Sequence, residues 1–307
     1  MGAVTALYVE SMWGLGDNIY IRPFVRAASE CYDVYLATPW PEVFEDLSIR
    51  FIYRAGTLRT QMKNTVAQPD LRWSRMPHEC RVIRRLAYTS RDLELGSVTE
   101  VLERKFRAYM ADDAEIAFDL PGFLRPGPQS KKPLALIRPV TVRSEWFNPA
   151  RNPLPEYLEA LSRRLWHTHT IVSVADLVDG KEWLVPPAPR AHHTFHKGEF
   201  NVRQLLALVE AADIVIGGVG WIVPAAIALK TKAFILLGGQ GGHNAPEKIT
   251  DPRMDLSRIG FAMPERYCRC TSKSHDCNRS IPNLDQQFSE WAARVGLHCS
   301  AAWPTAA

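Results

Sequence analysis

An α/β chain built from two parallel-sheet domains is the fold class that this sequence predicts, and three observations predict it. At 307 residues the chain has the length of about two domains, and 46% apolar residues suffice for two cores. Asp213 to Gly239 reads as a βαβ unit: an apolar strand (Asp213 to Ile216), a glycine turn (Gly217-Gly-Val-Gly220), a helix (Pro224 to Leu229) and a second strand (Ala233 to Leu237) ending in Gly238-Gly239. Pro121 to Pro133 carries three Gly/Pro pairs and a polar tail that neither a helix nor a central strand tolerates. The expected organisation is a first domain over 1–124, a linker over 125–133 and a second domain over 134–307.

The elements follow in order. Ala3 to Val9 is β-rich and leads into a glycine loop, Ser11 to Asn18, with helical spacing from Ile19 to about Cys31. Strands are expected at Asp33 to Ala37 and Arg50 to Tyr53, and helices around His78 to Tyr88 and Val98 to Met110. A brief strand at Glu115 to Phe118 precedes the linker. Beyond it come a strand at Leu134 to Arg138, a helix at Pro155 to Leu165 with proline in its first turn, and strands at Thr168 to Val174 and Ala191 to Phe195. Asn201 can cap a helix whose Val202, Leu205, Leu206, Val209 and Ala212 share one face. Leu284, Phe288, Trp291, Ala292 and Val295 mark the last helix.

Composition narrows the class. No apolar run reaches the 18 or more residues of a transmembrane helix, and the N-terminus lacks a leader pattern, so a cytoplasmic protein is expected. Six cysteines in a chain this long fit a reduced protein rather than a disulfide scaffold. The net charge of +4 is uneven: 13 Lys or Arg against 6 Asp or Glu between Arg50 and Met110 give a local +7. That region reads either as a solvated surface or as a face for an anionic partner such as nucleic acid. No zinc-finger or RNA-recognition signature accompanies it.

Chemistry concentrates at strand ends, where ligands of open α/β sheets bind. The loop Gly14-Leu-Gly16-Asp17-Asn18 joins a strand to a helix, a setting for anion binding or simply a favourable helix start. A dinucleotide fingerprint needs a third glycine where Ile19 stands, which argues against a nicotinamide dehydrogenase. Asp17 is then a lone carboxylate on a rigid turn, either a helix cap or a catalytic group. After the strand at 134–138, Arg138, Thr141, Arg143 and Arg151 furnish a loop for a diphosphate, since guanidinium forks match phosphate oxygens. Cys268, Cys270, His275 and Cys277 could ligate zinc, although the one-residue spacers are tighter than the usual knuckle; free thiols are the alternative.

Gly14-Leu-Gly16-Asp17-Asn-Ile and Ala211-Ala-Asp-Ile-Val-Ile-Gly217, with Gly220-Trp-Ile-Val-Pro-Ala225-Ala-Ile-Ala-Leu229 and Leu236-Leu-Gly238, resemble the heptosyltransferase family. The likeness is sharp only in these segments. It implies the GT-B architecture, two Rossmann-like parallel-sheet domains facing a cleft, and a metal-independent glycosyl transfer from a nucleotide sugar. By that resemblance Asp17 is the general base, and Gly14, Gly16 and Asn18 line the acceptor loop. Gly217, Gly218, Gly220 and Pro224 hold the donor diphosphate. The family's acidic or hydroxyl residue in this turn and its histidine at the helix start are replaced by Val219, Val223 and Pro224, so Arg138, Thr141, Arg143, Gly239 and His243 are the candidates to supply those contacts. The C-terminal helix is expected to return to the first domain, as in other GT-B chains.

Three functions fit: a glycosyltransferase acting on a carbohydrate or lipid-linked glycan, the same chemistry on a hydroxylated DNA base, and a binding protein on a scaffold that lost its chemistry. No cofactor is expected for the transfer itself beyond the nucleotide sugar as donor, with zinc only as a structural ion.

Overall fold

The computed structural model describes residues 5–56, 58–66, 71–84, 86–124 and 132–299. Most of the expected linker, residues 125–131, lies outside the described residues. The chain divides into two compact units, the first comprising 1–121 with 201–203 and 247–254, the second 122–200, 204–246 and 255–307.

In the first unit β1 (Ala6–Glu10) runs into α1 (Leu15–Ser29), followed by β2 (Asp33–Ala37), β3 (Arg50–Ile52), α2 (Arg59–Val66), β4 (Trp73–Ser74), β5 (Arg81–Ile83), α3 (Ser90–Glu94) and α4 (Val98–Phe106). The sheet order is β4-β3-β2-β1-β5, with all pairs parallel. Leu7 and Val9 of β1 and Val34 and Leu36 of β2 are buried on the same alternation. Phe24 of α1 stacks on Phe106 of α4 with ring centroids 5.9 Å apart. α3 and α4 both open with full capping boxes, Thr89 with Asp92 and Ser97 with Glu100.

Two expectations for this unit are corrected. The helix expected around His78 to Tyr88 is instead β5, because Val82 and Ile83 pair with Tyr8 and Val9 of β1 and tertiary pairing overrides the weak helical spacing. The strand expected at Glu115 to Phe118 is irregular. Its carbonyl at Ala117 accepts from Arg26 at 2.9 Å, and that of neighbouring Asp119 from the buried Arg22 at 2.8 Å, so arginines replace a strand partner.

The second unit contains β6 (Leu134–Ile137), β7 (Thr141–Arg143), α5 (Pro155–Leu165), β8 (Thr170–Val174), β9 (Glu182–Leu184), β10 (His193–Phe195), α6 (Val202–Ala211), β11 (Ile214–Gly218), α7 (Ile222–Ala228), β12 (Ala233–Leu236), α8 (Gly241–Asn244), α9 (Pro246–Ile249), β13 (Ile259–Ala262) and α10 (Leu284–Arg294), apart from the residues of α6 and α9 assigned above to the first unit. Its six-stranded parallel sheet has the order β10-β8-β6-β11-β12-β13, and β7 and β9 form a separate antiparallel ribbon. Ile137, Ile216 and Leu236 are all fully buried, as strands covered on both faces must be.

The C-terminal helix α10 packs in the core of the second unit. Phe288 and Trp291 each lie with ring centroids within 5.1 Å of Phe234 on β12. Among the described residues no helix is long and apolar enough to cross a membrane.

Candidate functional site

In the first unit, α1 begins at Leu15, four residues earlier than the spacing predicted, because Leu15 is itself a buried core residue. Asp17 therefore sits in the first helical turn rather than capping it, a position where the helix dipole favours negative charge. The cap position belongs to Gly14, whose missing Cβ leaves room for the Asp17 carboxylate lying over it. Tyr88 donates its hydroxyl to Asp17 Oδ1 at 2.9 Å. Nothing in the sequence pointed to Tyr88.

Asn18 is fully buried. Its amide donates to Met12 and Gly14 carbonyls, both at 2.8 Å, and its Oδ1 accepts from Thr38 at 2.7 Å. The side chain thus ties the preceding loop over the helix start. The same loop is held from outside by Arg54, which stacks 3.7 Å from the Trp13 ring and bonds the Ser11 carbonyl. Several charges of the basic stretch are likewise committed within the unit: Arg54 pairs with Glu10 at 3.1 Å, and Arg50 pairs with Asp33.

In the second unit the candidate residues gather at the carboxyl ends of β6, β11 and β12. Arg138 follows β6 directly and its backbone N–H donates to Ile216 at 2.9 Å. Its guanidinium is driven down from the ordinary 12.5 to about 10, first by burial and then by Arg143 and Arg151, with Glu182 alone acting the other way. Glu182 is almost fully buried and is already shared: Arg143 Nε lies 2.7 Å from it, and the Thr141 hydroxyl donates to it at 2.9 Å. The segment read as a loop from Pro139 onward is thus in part the β7–β9 ribbon, and Glu182, which sequence reasoning missed, is the carboxylate that orders it.

The glycines permit this crowding. A Cβ on Gly217 would stand 3.3 Å from Arg138 Cβ, one on Gly218 2.9 Å from Pro153, and one on Gly220 3.2 Å from Arg138 Nη1. Gly217 and Gly218 belong to the end of β11 rather than to the turn. Val219, Val223 and Pro224 are buried. Pro224 has no N–H to offer an anion, so it serves the start of α7 as packing.

After β12 the chain makes a tight loop. Gly239 donates to the Ala150 carbonyl at 2.7 Å, and Gln240 adopts a left-handed conformation with φ 57°. The buried Gln240 amide accepts from Asn148 at 2.9 Å and from Asn244 at 3.1 Å and donates to Thr271 at 3.0 Å. His243, in α8, is half-buried, and burial followed by Lys273 lowers its pKa, which keeps it neutral.

Behind this loop lie the cysteines. Cys268, Cys270, His275 and Cys277 each bring one ligand atom, and all four atoms lie within 4.8 Å of one another. The loop after β12 and the Cys/His cluster are neighbours in space, Gly241 N–H donating to the Cys268 carbonyl at 2.7 Å, although some 30 residues separate them in sequence.

No protein-family model matches the sequence, and no curated protein matches it. Solved structures do. A glycosyl transferase family 9 protein from Veillonella parvula is 11% identical with a TM-score of 0.59, over 97% of this chain and 99% of that one. TibC from enterotoxigenic E. coli, described as an iron-containing dodecameric glycosyltransferase, is 10% identical with a TM-score of 0.62, over 94% of this chain and 76% of its own. E. coli ADP-heptose LPS heptosyltransferase II is 11% identical with a TM-score of 0.51, over 93% and 99%. The chain thus has the α/β GT-B fold, with parallel sheets in both units, and its structural neighbours include a family 9 glycosyl transferase and an ADP-heptose heptosyltransferase.

Proposed function

We propose that the protein is a glycosyltransferase that moves a sugar from a nucleoside-diphosphate donor to an acceptor hydroxyl of a carbohydrate or lipid-linked glycan. The observation that carries this reading is the guanidinium cluster after β6. Arg138 has its pKa driven down by burial and lies in the field of Arg143 and Arg151, while Glu182 is bonded by Arg143 and Thr141, an environment that favours an incoming anion. A diphosphate supplies that anion at the strand ends where α/β sheets bind ligands. Gly217, Gly218, Gly220 and Gly239 let the strand ends and the loop after β12 pack closely around this cluster, and His243 offers a neutral imidazole at its edge.

In the transfer, the acceptor oxygen bonds to the anomeric carbon as the bond from that carbon to the donor phosphate breaks. The acceptor proton goes to Asp17, held by Tyr88, and the electron pair leaves with the diphosphate, which the arginines stabilise. The heptosyltransferases among its fold neighbours favour ADP-heptose as the first donor to try. We assign a structural zinc ion to Cys268, Cys270, His275 and Cys277, whose thiol-rich donor set suits it.

Calorimetric titration with a panel of nucleoside diphosphates and their sugars tests the reading. Binding in the micromolar range, lost in Arg138→Met, is the expected result. Silence across the panel from folded protein overturns it.

A further inference from the structure

The Cys/His cluster does not stand apart from the donor loop, and their shared hydrogen bonds give the metal a role beyond holding its own four ligands. We infer that a thiophilic metal ion in this cluster shapes the loop from Gly238 to Asn244, so that loading the ion builds the diphosphate side of the donor pocket. The inference rests on the assignment of zinc to the cluster.

Three ligand pairs of the cluster already stand near the separations an ion requires, within a set whose four atoms all lie within 4.8 Å of one another. A tetrahedral ion with bonds of about 2.3 Å to sulfur and about 2.0 Å to nitrogen separates its ligand atoms by roughly 3.5 to 3.8 Å. Here Cys270 Sγ and Cys277 Sγ are 3.5 Å apart, Cys268 Sγ and His275 Nδ1 3.5 Å, and His275 Nδ1 and Cys277 Sγ 3.3 Å. The two pairs Cys-x-Cys and His-x-Cys lie on either side of a bend at Lys273 and Ser274, which turns one pair to face the other. Backbone N–H groups are directed at two of the sulfurs, from Cys270 to Cys268 and from Gln240 to Cys277. The second of these comes from the loop itself.

The loop in turn hangs on the cluster's backbone. Gly241 N–H donates to the Cys268 carbonyl at 2.7 Å, Gly242 N–H to the Cys270 carbonyl at 3.0 Å, and the Gln240 side chain to the Thr271 carbonyl at 3.0 Å. Three acceptors from one ligand segment therefore fix three successive residues of the loop. The glycines are there because the segment is so close: a Cβ at Gly239 would overlap Cys277, one at Gly241 would reach the Cys268 carbonyl at 2.8 Å, and one at Gly242 the Cys270 carbonyl at 2.9 Å. Residues 267–280 contain no helix or strand, so their own ladder bonds do not hold them in place. A metal ion supplies that restraint, since ligation energy is folding energy for a segment of this kind.

The test uses the full chain purified without chelator. Elemental analysis should find about one equivalent of zinc, with iron as the competing occupant that the same analysis distinguishes. Amide hydrogen exchange is then followed in loaded, chelated and zinc-restored samples. Exchange at Gly239, Gly241 and Gly242 should rise about 10-fold or more on chelation, return on restoring zinc, and rise likewise in Cys270→Ser and His275→Ala, while amides of α5 stay protected. Nucleoside diphosphate affinity, read on the same samples, should weaken about 10-fold on chelation. Metal bound with unchanged loop exchange overturns the inference and leaves the site standing; absence of bound metal, with none taken up on addition, overturns both. If no nucleoside diphosphate binds to any sample, the exchange data still decide the inference, and the donor reading alone fails.

Discussion

Replacing Arg138 with methionine should raise the stability of the unliganded protein and weaken its hold on a diphosphate. The guanidinium is held at about 10 rather than 12.5, by burial first and by Arg143 and Arg151 next. At about 1.4 kcal/mol per unit, that shift is an upper limit of about 3 kcal/mol charged against the folded state. Because a cation's pKa is depressed in the folded form, the penalty is fully present below pH 10 and fades only between about 10 and 12.5, so it operates in full near neutrality. Relaxation of the neighbouring arginines and residual hydration reduce it, and about 1–2 kcal/mol is the expected gain on substitution. Methionine keeps an apolar stem of similar reach, so the close approach to Gly217 survives. For a unit of this size the gain corresponds to a melting temperature about 3–6 °C higher. Loss of a charge-assisted bidentate contact should meanwhile weaken diphosphate binding about 10²-fold. Thermal unfolding with and without nucleoside diphosphate, paired with calorimetric titration, reads both quantities. A variant that melts lower and binds the diphosphate as well as the parent protein would refute the reasoning.

Further outcomes follow from particular contacts. Asp17→Asn should lower kcat by ~10²- to 10⁴-fold while donor affinity stays within about twofold, as separate turnover and titration experiments would show. Tyr88→Phe removes the hydroxyl that bonds Asp17 and should cost about 10-fold in kcat with little change in KM, because it misplaces the carboxylate rather than the substrate. Asp213 is held at about 2 by its bond from His169 and then by Lys232, 2.9 Å away. A depressed carboxylate contributes stability above its ordinary pKa and loses it as pH falls to the folded value. Discounted for partial exposure, Asp213→Asn should cost about 1 kcal/mol at neutral pH, and the two proteins should converge near pH 2 in urea titrations. Trp291→Ala empties the space against Phe234 and Phe288 and should destabilise by about 3–5 kcal/mol, read as a lower urea midpoint.

How much was legible depended on where each element finds its partners. β2 and α5 lie where the sequence put them, since a short apolar alternation and a proline-opened amphipathic helix are local signals. β13 was missed because its burial comes from β12 and from Trp291, which packs over Gly260, and neither is near in sequence. The β7–β9 ribbon was missed for a related reason: its register is set by Glu182 bonding Thr141 and Arg143 across some 40 residues. In the candidate site, arginines and glycines at strand ends were readable as types suited to a diphosphate. Tyr88, Glu182 and Gln240 carry no such signature; their roles exist only once Asp17, Arg143 and Asn148 have been folded against them.

The glycine run after β12 illustrates the difference between reading a residue type and knowing its cause. As sequence, Gly238-Gly-Gln-Gly-Gly242 says only that a strand ends in a flexible turn, and flexible turns commonly cradle phosphates. In the fold the same glycines are close-packing positions, because Asn152, Cys277, Cys268 and Cys270 stand where side chains would go. A segment pressed on two sides is a rigid wall rather than a flexible cradle, and rigidity is what preorganised recognition of a leaving group requires. The one-residue spacers of the Cys/His cluster fall under the same argument. Spacing counts residues along one path, whereas ligation depends on which atoms face one another, and the bend at Lys273 and Ser274 brings His275 and Cys277 back upon Cys268 and Cys270.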